Sequence, residues 1–316
     1  MRLTPRLAVL MTLPPLLWAG NAVVGRWIAG GAAAGQAGAA LVPPLTLNLM
    51  RWVLTALILL PLAWRALLPW SRIARRWPYL LAVGVLGVGA FNSLQYLALN
   101  TSSPLNVTLV AASMPVWMLA VGALCFGEHP SRQQLLGAAV GLVGVATVLA
   151  RGSLATLAQV QWVPGDLYIL LAVIGWAFYS WLLARPPALM RGRARPDWDW
   201  AGFLLVQSLF GIGAAALFTA GEQALGAAPI QWSWGVAAAL GYVSLGASIA
   251  AYRCWGLGVA EGGPALAAFF NNLTPLFAAL LSTLVLGEAP KPYHAAAFAL
   301  IVAGIAISMA RRPAPA

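Results

Sequence analysis

Apolar residues along the chain gather into windows of about twenty, the length that carries a helix across a hydrocarbon core of roughly 30 Å. Ten such windows are predicted as helices: 7–28, 44–64, 79–99, 103–126, 133–150, 165–184, 200–220, 234–255, 263–286 and 292–310. The stretches between them are short. The longest, 29–43, 65–78, 151–164 and 185–199, cannot fold as soluble domains.

The windows fall into two copies of one pattern. Pro104, Pro115, Gly127, Glu128, Pro130 and Gly144 return 160 residues later as Pro264, Pro275, Gly287, Glu288, Pro290 and Gly304. An internal repeat fixes architecture before any local reading does. Residues 1–150 form the first repeat and residues 151–316 the second, with a basic, Pro-rich cytoplasmic linker at about 185–199. Five spans per repeat is an odd number, so the second repeat enters the membrane inverted. The predicted fold class is therefore all-α integral membrane, with ten transmembrane helices as two inverted five-helix repeats. Inverted halves facing each other are the usual plan of a secondary transporter, with its site between them.

Composition agrees: 61% of residues are hydrophobic, 8% are charged, and the mean hydropathy is +0.84. The net charge of +11 is no nucleic-acid footprint, because the arginines sit between spans and no basic stripe runs along a polar face. With the N-terminus in the cytoplasm, the inner side receives Arg2, Arg6, Arg65, Arg72, Arg75, Arg76, Arg132 and Arg185. Arg191, Arg193, Arg195, Arg311 and Arg312 join them, and only Arg151 and Lys291 fall outside. That bias predicts that both termini are cytoplasmic. Trp64, Trp70, Trp77, Trp162, Trp198, Trp200, Trp232 and Trp234 fall at span ends, as interface anchors do. Gly137, Gly141 and Gly144 mark a face for close helix packing. Cys125 and Cys254 suggest neither a disulfide framework nor a metal site, and no cofactor is implied. The first window is too long for a signal peptide and is interrupted by Trp18, Asn21 and Arg26; it reads as a retained helix.

The chain resembles the drug/metabolite transporter superfamily, specifically its ten-helix members built from two EamA-type repeats. The resemblance is carried by Leu17-Trp18-Ala19-Gly20-Asn21, Arg51-Trp52, the stretch 98–106, Pro115 and Phe126-Gly127-Glu128. In the second half it rests on 262–265, Pro275 and Leu286-Gly287-Glu288. It implies a multi-pass permease of the bacterial inner membrane, often an exporter of amino acids or other small metabolites.

Polar side chains at membrane depth are costly and mark a cavity or a partner helix. Asn21, Asn48, Arg51, Asn92, Gln95, Tyr96 and Asn106 reach a similar depth on four spans of the first repeat. The second contributes Trp176, Tyr179, Tyr252, Asn271 and Asn272; with Trp18 and Trp117 these complete the predicted substrate site. Arg51 presents a donor fork suited to a carboxylate, or else it snorkels to the interface or bonds helix-end carbonyls. Pro115 and Pro275 each free a backbone carbonyl at mid-span. They serve as gating kinks beside a cavity or as simple kinks braced by the asparagines. Glu128 and Glu288 are predicted to cap the helices that follow them.

No carboxylate falls in the middle third of a predicted span, which points to facilitative or loosely coupled transport. A membrane enzyme would need a constellation that is missing: His129 and His294 lie beside loops on opposite sides, and Gly246-Ala247-Ser248 has no nearby histidine. The partners expected are a small-molecule substrate and the bilayer, with a monomer compatible. Among substrates, a zwitterion such as an amino acid, or a neutral aromatic metabolite, suits a lone Arg51. Phosphorylated metabolites, cationic drugs and a non-transporting receptor or scaffold are the alternatives.

Overall fold

A computed structural model of the chain describes residues 3–28, 40–102, 104–150, 153–158, 161–286 and 292–310. Among them all regular structure is helical, and no strand occurs. The first half runs α1 (Pro5–Ile28), α2 (Pro44–Ala63), the short α3 (Trp70–Ala74), α4 (Trp77–Gly84), α5 (Phe91–Thr101), α6 (Pro104–Ala112), α7 (Met114–Phe126) and α8 (Arg132–Leu149). The second runs α9 (Leu154–Ala158), α10 (Pro164–Ala184), α11 (Trp200–Ala224), α12 (Trp234–Ser244), α13 (Ala251–Asn271), α14 (Leu273–Leu286) and α15 (Pro292–Met309).

In hydrocarbon every backbone group must be satisfied internally, so spans are helices and their breaks are informative. A π turn, Val85–Ala90, joins α4 to α5, and a second, Leu245–Ala250, joins α12 to α13. The two are 160 residues apart, the repeat interval. α6 and α7 are bent by 41° about Ser113, just ahead of Pro115. The equivalent span breaks at Asn272, ahead of Pro275.

Among the described residues, eight helices are long and apolar enough to cross a membrane, or nine with α6 and α7 taken as one. The predicted ten is not reached by this measure, for a physical reason. The run Trp234–Asn271 counts once at 38 residues, a length of about 57 Å at 1.5 Å per residue. Gly263, at φ 81 and ψ 159, interrupts it. Beyond that break the ninth window is split between the end of α13 and α14, 14 residues long.

Packing contacts come in pairs, as a two-fold axis between the halves demands. α2 lies on α11 and α8 on α15; α1 packs against α13 and α14, as α10 packs against α5, α6 and α7. Lipid supplies no hydrophobic force between spans, so small residues and close backbone approach must hold them. The α8–α15 crossing shows this. A methyl group added at Gly304 would lie 2.8 Å from the Gly137 carbonyl oxygen, and one at Gly144 would lie 2.9 Å from the Ile301 side chain.

Helix ends are sealed by short polar side chains. Ser131 accepts from the Gln134 amide at 3.2 Å, and the Gln134 side chain accepts in return from the Ser131 amide at 2.8 Å, closing a capping box on α8. Asp199 and Ser233 cap α11 and α12. Ser131 therefore does the work predicted for Glu128, which instead pairs with Arg185 at an exposed position. The reason is spacing: Gly127 ends α7 in the left-handed conformation, φ 70, leaving Glu128 one residue past it and four before α8. Glu288 lies outside the described residues.

Most predicted interface tryptophans are exposed, and Trp200 is covered by the Arg253 guanidinium 4.4 Å above its ring. Trp198 is the exception. It is buried, because the linker folds onto the bundle rather than hanging from it. Arg76 holds the linker there, donating to the Leu189 carbonyl at 3.0 Å and to the Ala194 carbonyl at 2.6 Å.

Candidate functional site

Arg51 does not snorkel. It is 2% exposed, in the second turn of α2, and reaches across to the other repeat. Its Nε donates to Ser248 Oγ at 2.5 Å and its Nη2 to the Ala247 carbonyl at 2.9 Å. Ser244 Oγ in turn donates to the Arg51 carbonyl at 3.1 Å. Both acceptors lie in the second π turn, where Ser248 Oγ bonds the carbonyl five residues back, Val243. The widened turn thus offers a carbonyl and a hydroxyl to a neighbour. Its repeat-equivalent behaves likewise: the Gly87 carbonyl, in the first π turn, accepts from Tyr252 Oη of the second half.

Around the guanidinium stands an aromatic cluster drawn from both halves. Trp18 meets Trp176 with centroids 5.3 Å apart and Trp255 at 5.4 Å. Trp176 also meets Tyr179 at 4.9 Å, Tyr252 at 5.5 Å and Phe91 at 5.1 Å. Trp52 packs edge-on against Tyr252 at 4.9 Å. Trp18 Nε1 shares the Ala247 carbonyl with Arg51, at 3.0 Å. Tyr96 lies beside Asn21, and both Tyr96 and Tyr252 stand near the Arg51 guanidinium.

Several buried polar atoms here have no partner. They are Asn48 Oδ1, Arg51 Nη1, Trp52 Nε1 and Thr55 Oγ1 on α2, with Trp176 Nε1 and Gln207 Oε1 opposite. Buried polar groups are nearly always paired, and each exception asks for an explanation. The four on α2 stand at i, i+3, i+4 and i+7, a single helix face.

Of the predicted site residues, Trp18, Asn21, Arg51, Tyr96, Trp176, Tyr179 and Tyr252 converge. Asn48 joins them from the turn before Arg51, bonding Ser93 of α5 at 3.0 Å, next to buried Asn92; Gln95 is half-buried one turn along α5. Three others, the asparagines Asn106, Asn272 and Asn271, go elsewhere. Asn106 donates to the Gln161 carbonyl at 2.6 Å and to Asp166 at 3.2 Å, at the start of α10. Asn272 lies against α8, where a methyl at Gly141 would approach its Nδ2 to 3.2 Å. Asn271 accepts from Thr274 on its own span at 3.4 Å. Trp117 packs on α7 without a ring contact to the cluster among the described residues. Pro115 and Pro275 each follow a break in their span, at Ser113 and Asn272.

Sequence reasoning missed Ser244, Ser248, Trp52, Thr55, Trp255 and Gln207. Ser244 and Ser248, four apart in an apolar window, were the available signal, but such serines usually bond their own backbone. Glu222 was missed as well. From the last turn of α11 it accepts from the Leu45 and Thr46 amides at 2.8 and 2.7 Å and from Thr46 Oγ1 at 2.8 Å, capping α2. A crevice of about 380 Å³ between α7 and α8, lined by Val116, Leu119, Leu135 and Leu142, shares no residue with the Arg51 cluster. Among the described residues no group of His, Cys, Asp or Glu could hold a metal ion.

The sequence profile of the EamA-like transporter family matches residues 7–150 and again residues 163–310. The chain belongs to that family. This transporter is similar to an uncharacterized transporter, YyaM, of Bacillus subtilis, 25% identical over 71% of this chain and 70% of the relative. It is similar to the aromatic amino acid exporter YddG of Ancylobacter novellus, 26% identical over 77% of this chain and 80% of the relative. It is also similar to an uncharacterized inner membrane transporter, YedA, of Escherichia coli, 27% identical over 84% of this chain and 81% of the relative. A solved crystal structure shares the fold with a TM-score of 0.72, at 21% identity, over 96% of this chain and 97% of that one.

Proposed function

We propose that this EamA-family transporter exports amino acids, or related zwitterionic or aromatic compounds, by alternating access across the bacterial inner membrane, with both termini in the cytoplasm. The observation that carries the reading is Arg51. A buried guanidinium is oriented by the opposite repeat, keeps Nη1 unpartnered, and among the described residues has no carboxylate bonded to it. A cation held this way favours an incoming carboxylate, and a charge-assisted hydrogen bond contributes about 1.5–3 kcal/mol. Trp18, Trp176, Tyr179 and Tyr252 would form apolar walls for the substrate side chain. The similarity to a relative named as an aromatic amino acid exporter supports this direction. Phosphorylated metabolites would ask for a second cation beside Arg51, and a cationic drug would be repelled by it.

Transport is facilitative in this reading. Glu222 and Asp166, two of the carboxylates tied into helix contacts, lie at the N-termini of α2 and α10 and serve as caps. The test is uptake of a radiolabelled amino-acid mixture into proteoliposomes, wild type against Arg51→Ala, with and without an imposed pH gradient. Saturable uptake that falls about tenfold or more in the mutant supports the assignment. Wild-type uptake unaffected by the mutation returns Arg51 to structure. No uptake by folded protein overturns the amino-acid reading, and an obligatory proton requirement overturns facilitated transport.

A further inference from the structure

Four unpartnered polar atoms on one face of one helix are hard to reconcile with a structural role. Each buried group left without a partner destabilises the fold, and an isosteric apolar residue would remove that cost. Thr55 is instructive. A threonine within a helix ordinarily bonds the carbonyl one turn back, which here is that of Arg51. That carbonyl already accepts from Ser244 of the opposite repeat, and Thr55 Oγ1 is left without a partner at 0% exposure. Trp52 is equally enclosed, with its ring centroid 5.3 Å from the Arg51 guanidinium and its Nε1 unpartnered. Trp255, in the same aromatic cluster, has its Nε1 bonded to Ser180 Oγ at 3.2 Å.

We infer that Trp52 Nε1 joins Arg51 Nη1 as a two-donor seat for a substrate carboxylate, and that Thr55 is the next hydrogen-bonding station along α2. This rests on the reading above that Arg51 meets a carboxylate. The two donors come from adjacent residues, with the Arg51 guanidinium 5.3 Å from the Trp52 ring centroid, and the proposed carboxylate would take one bond from each. Thr55 stands one turn further from the N-terminus of α2, on the same face. A substrate passing along that face would exchange the Arg51–Trp52 pair for the Thr55 hydroxyl. The face is buried here, as expected of a track that opens to one side at a time.

The test uses tryptophan and N-acetyltryptamine, a neutral analogue that lacks the carboxylate. Binding is measured on purified, monodisperse protein and counterflow in proteoliposomes. Trp52→Phe keeps an aromatic ring and removes the donor. It should weaken tryptophan binding about tenfold while N-acetyltryptamine binding changes less than twofold. Thr55→Val, matched in shape, should raise the melting temperature, leave tryptophan affinity within twofold and slow counterflow about tenfold. Trp255→Phe is the control: it loses a satisfied bond, so its melting temperature should fall below that of Trp52→Phe. Wild-type tryptophan affinity and counterflow in both Trp52→Phe and Thr55→Val, with Arg51→Ala defective, would overturn the seat and track while sparing the role of Arg51. Equal loss of tryptophan and N-acetyltryptamine binding in Trp52→Phe would reduce Trp52 to packing. No tryptophan binding by wild type would remove the reading on which the seat depends.

Discussion

Glu222 shows how a single side chain can hold two halves together. The first amides of a helix have no partner within it, and in α2 two of them are taken by a carboxylate from α11, 177 and 176 residues away in sequence. Gln223 adds a bond to Thr46 Oγ1 at 3.0 Å, and Thr219 Oγ1 donates to the Leu45 carbonyl at 3.0 Å. Removing the carboxylate leaves two amides without an acceptor and costs the Thr46 hydroxyl the bond it donates, in a half-buried place. Glu222→Ala should therefore lower stability by about 1–3 kcal/mol, read as a fall in melting temperature of the purified transporter. Glu222→Gln should recover part of the loss, because its amide oxygen still accepts. The position was poorly legible in the sequence. Glu222 follows the predicted end of its window at 220, and a carboxylate past a span reads as loop until its partner helix is known. Arg51 was legible as an anomaly, a charge in an apolar window, but its partners were not. They are a serine and a carbonyl on a helix nearly 200 residues away, and no local pattern announces them.

At the scale of elements, glycine spacing was readable and helix irregularity was not. Gly137, Gly141 and Gly144 imply a close crossing because small residues a turn apart let backbones touch, and α15 fills that face with Gly304 among its contacts. A side chain at Gly304 has nowhere to go, since a methyl there would also approach the Gly141 amide nitrogen to 2.9 Å. Gly304→Val should destabilise by about 1–3 kcal/mol or more through overpacking. Gly213, also within a helix, has nothing within 4 Å of an added methyl. Gly213→Ala should be neutral or stabilising by up to about 1 kcal/mol, so thermal unfolding of the two variants should move apart. The π turns left no such trace. They insert a residue into a continuous apolar helix without Pro or a charge to mark it, and only their 160-residue separation shows that they belong to the repeat. Through them the side chains of one half reach backbone carbonyls of the other, which is why the cores of both third spans contribute to the site.

For the whole molecule, the repeat pairs contacts at opposite faces, and the pairs are unequal. Asp166 and Arg6 are repeat-equivalent positions. Asp166 is 2% exposed and accepts from Ser102 Oγ, from Asn106 Nδ2 and from the Val163 amide at 3.0 Å, tying α10 to the α5–α6 junction. Arg6 pairs with Glu261 at 2.8 Å, tying α1 to α13, with side chains 71% and 34% exposed. A surface pair of that kind contributes about 0–1 kcal/mol, whereas charge-assisted bonds from buried partners contribute about 1.5–3 kcal/mol each. The described conformation is thus held more firmly at the Asp166 face than at the Arg6 face. In the alternating-access cycle proposed above the firm face loosens in turn, so weakening it should favour the opposite state. Hydrogen exchange by mass spectrometry tests this. Asp166→Ala should speed amide exchange in the first turns of α10 and α6 about tenfold or more, with little change at α1. Glu261→Gln should leave α10 and α6 as in wild type and change exchange at α1 only slightly. Equal responses to the two substitutions would mean that the two faces are latched alike, and that the asymmetry seen in these contacts has no energetic counterpart.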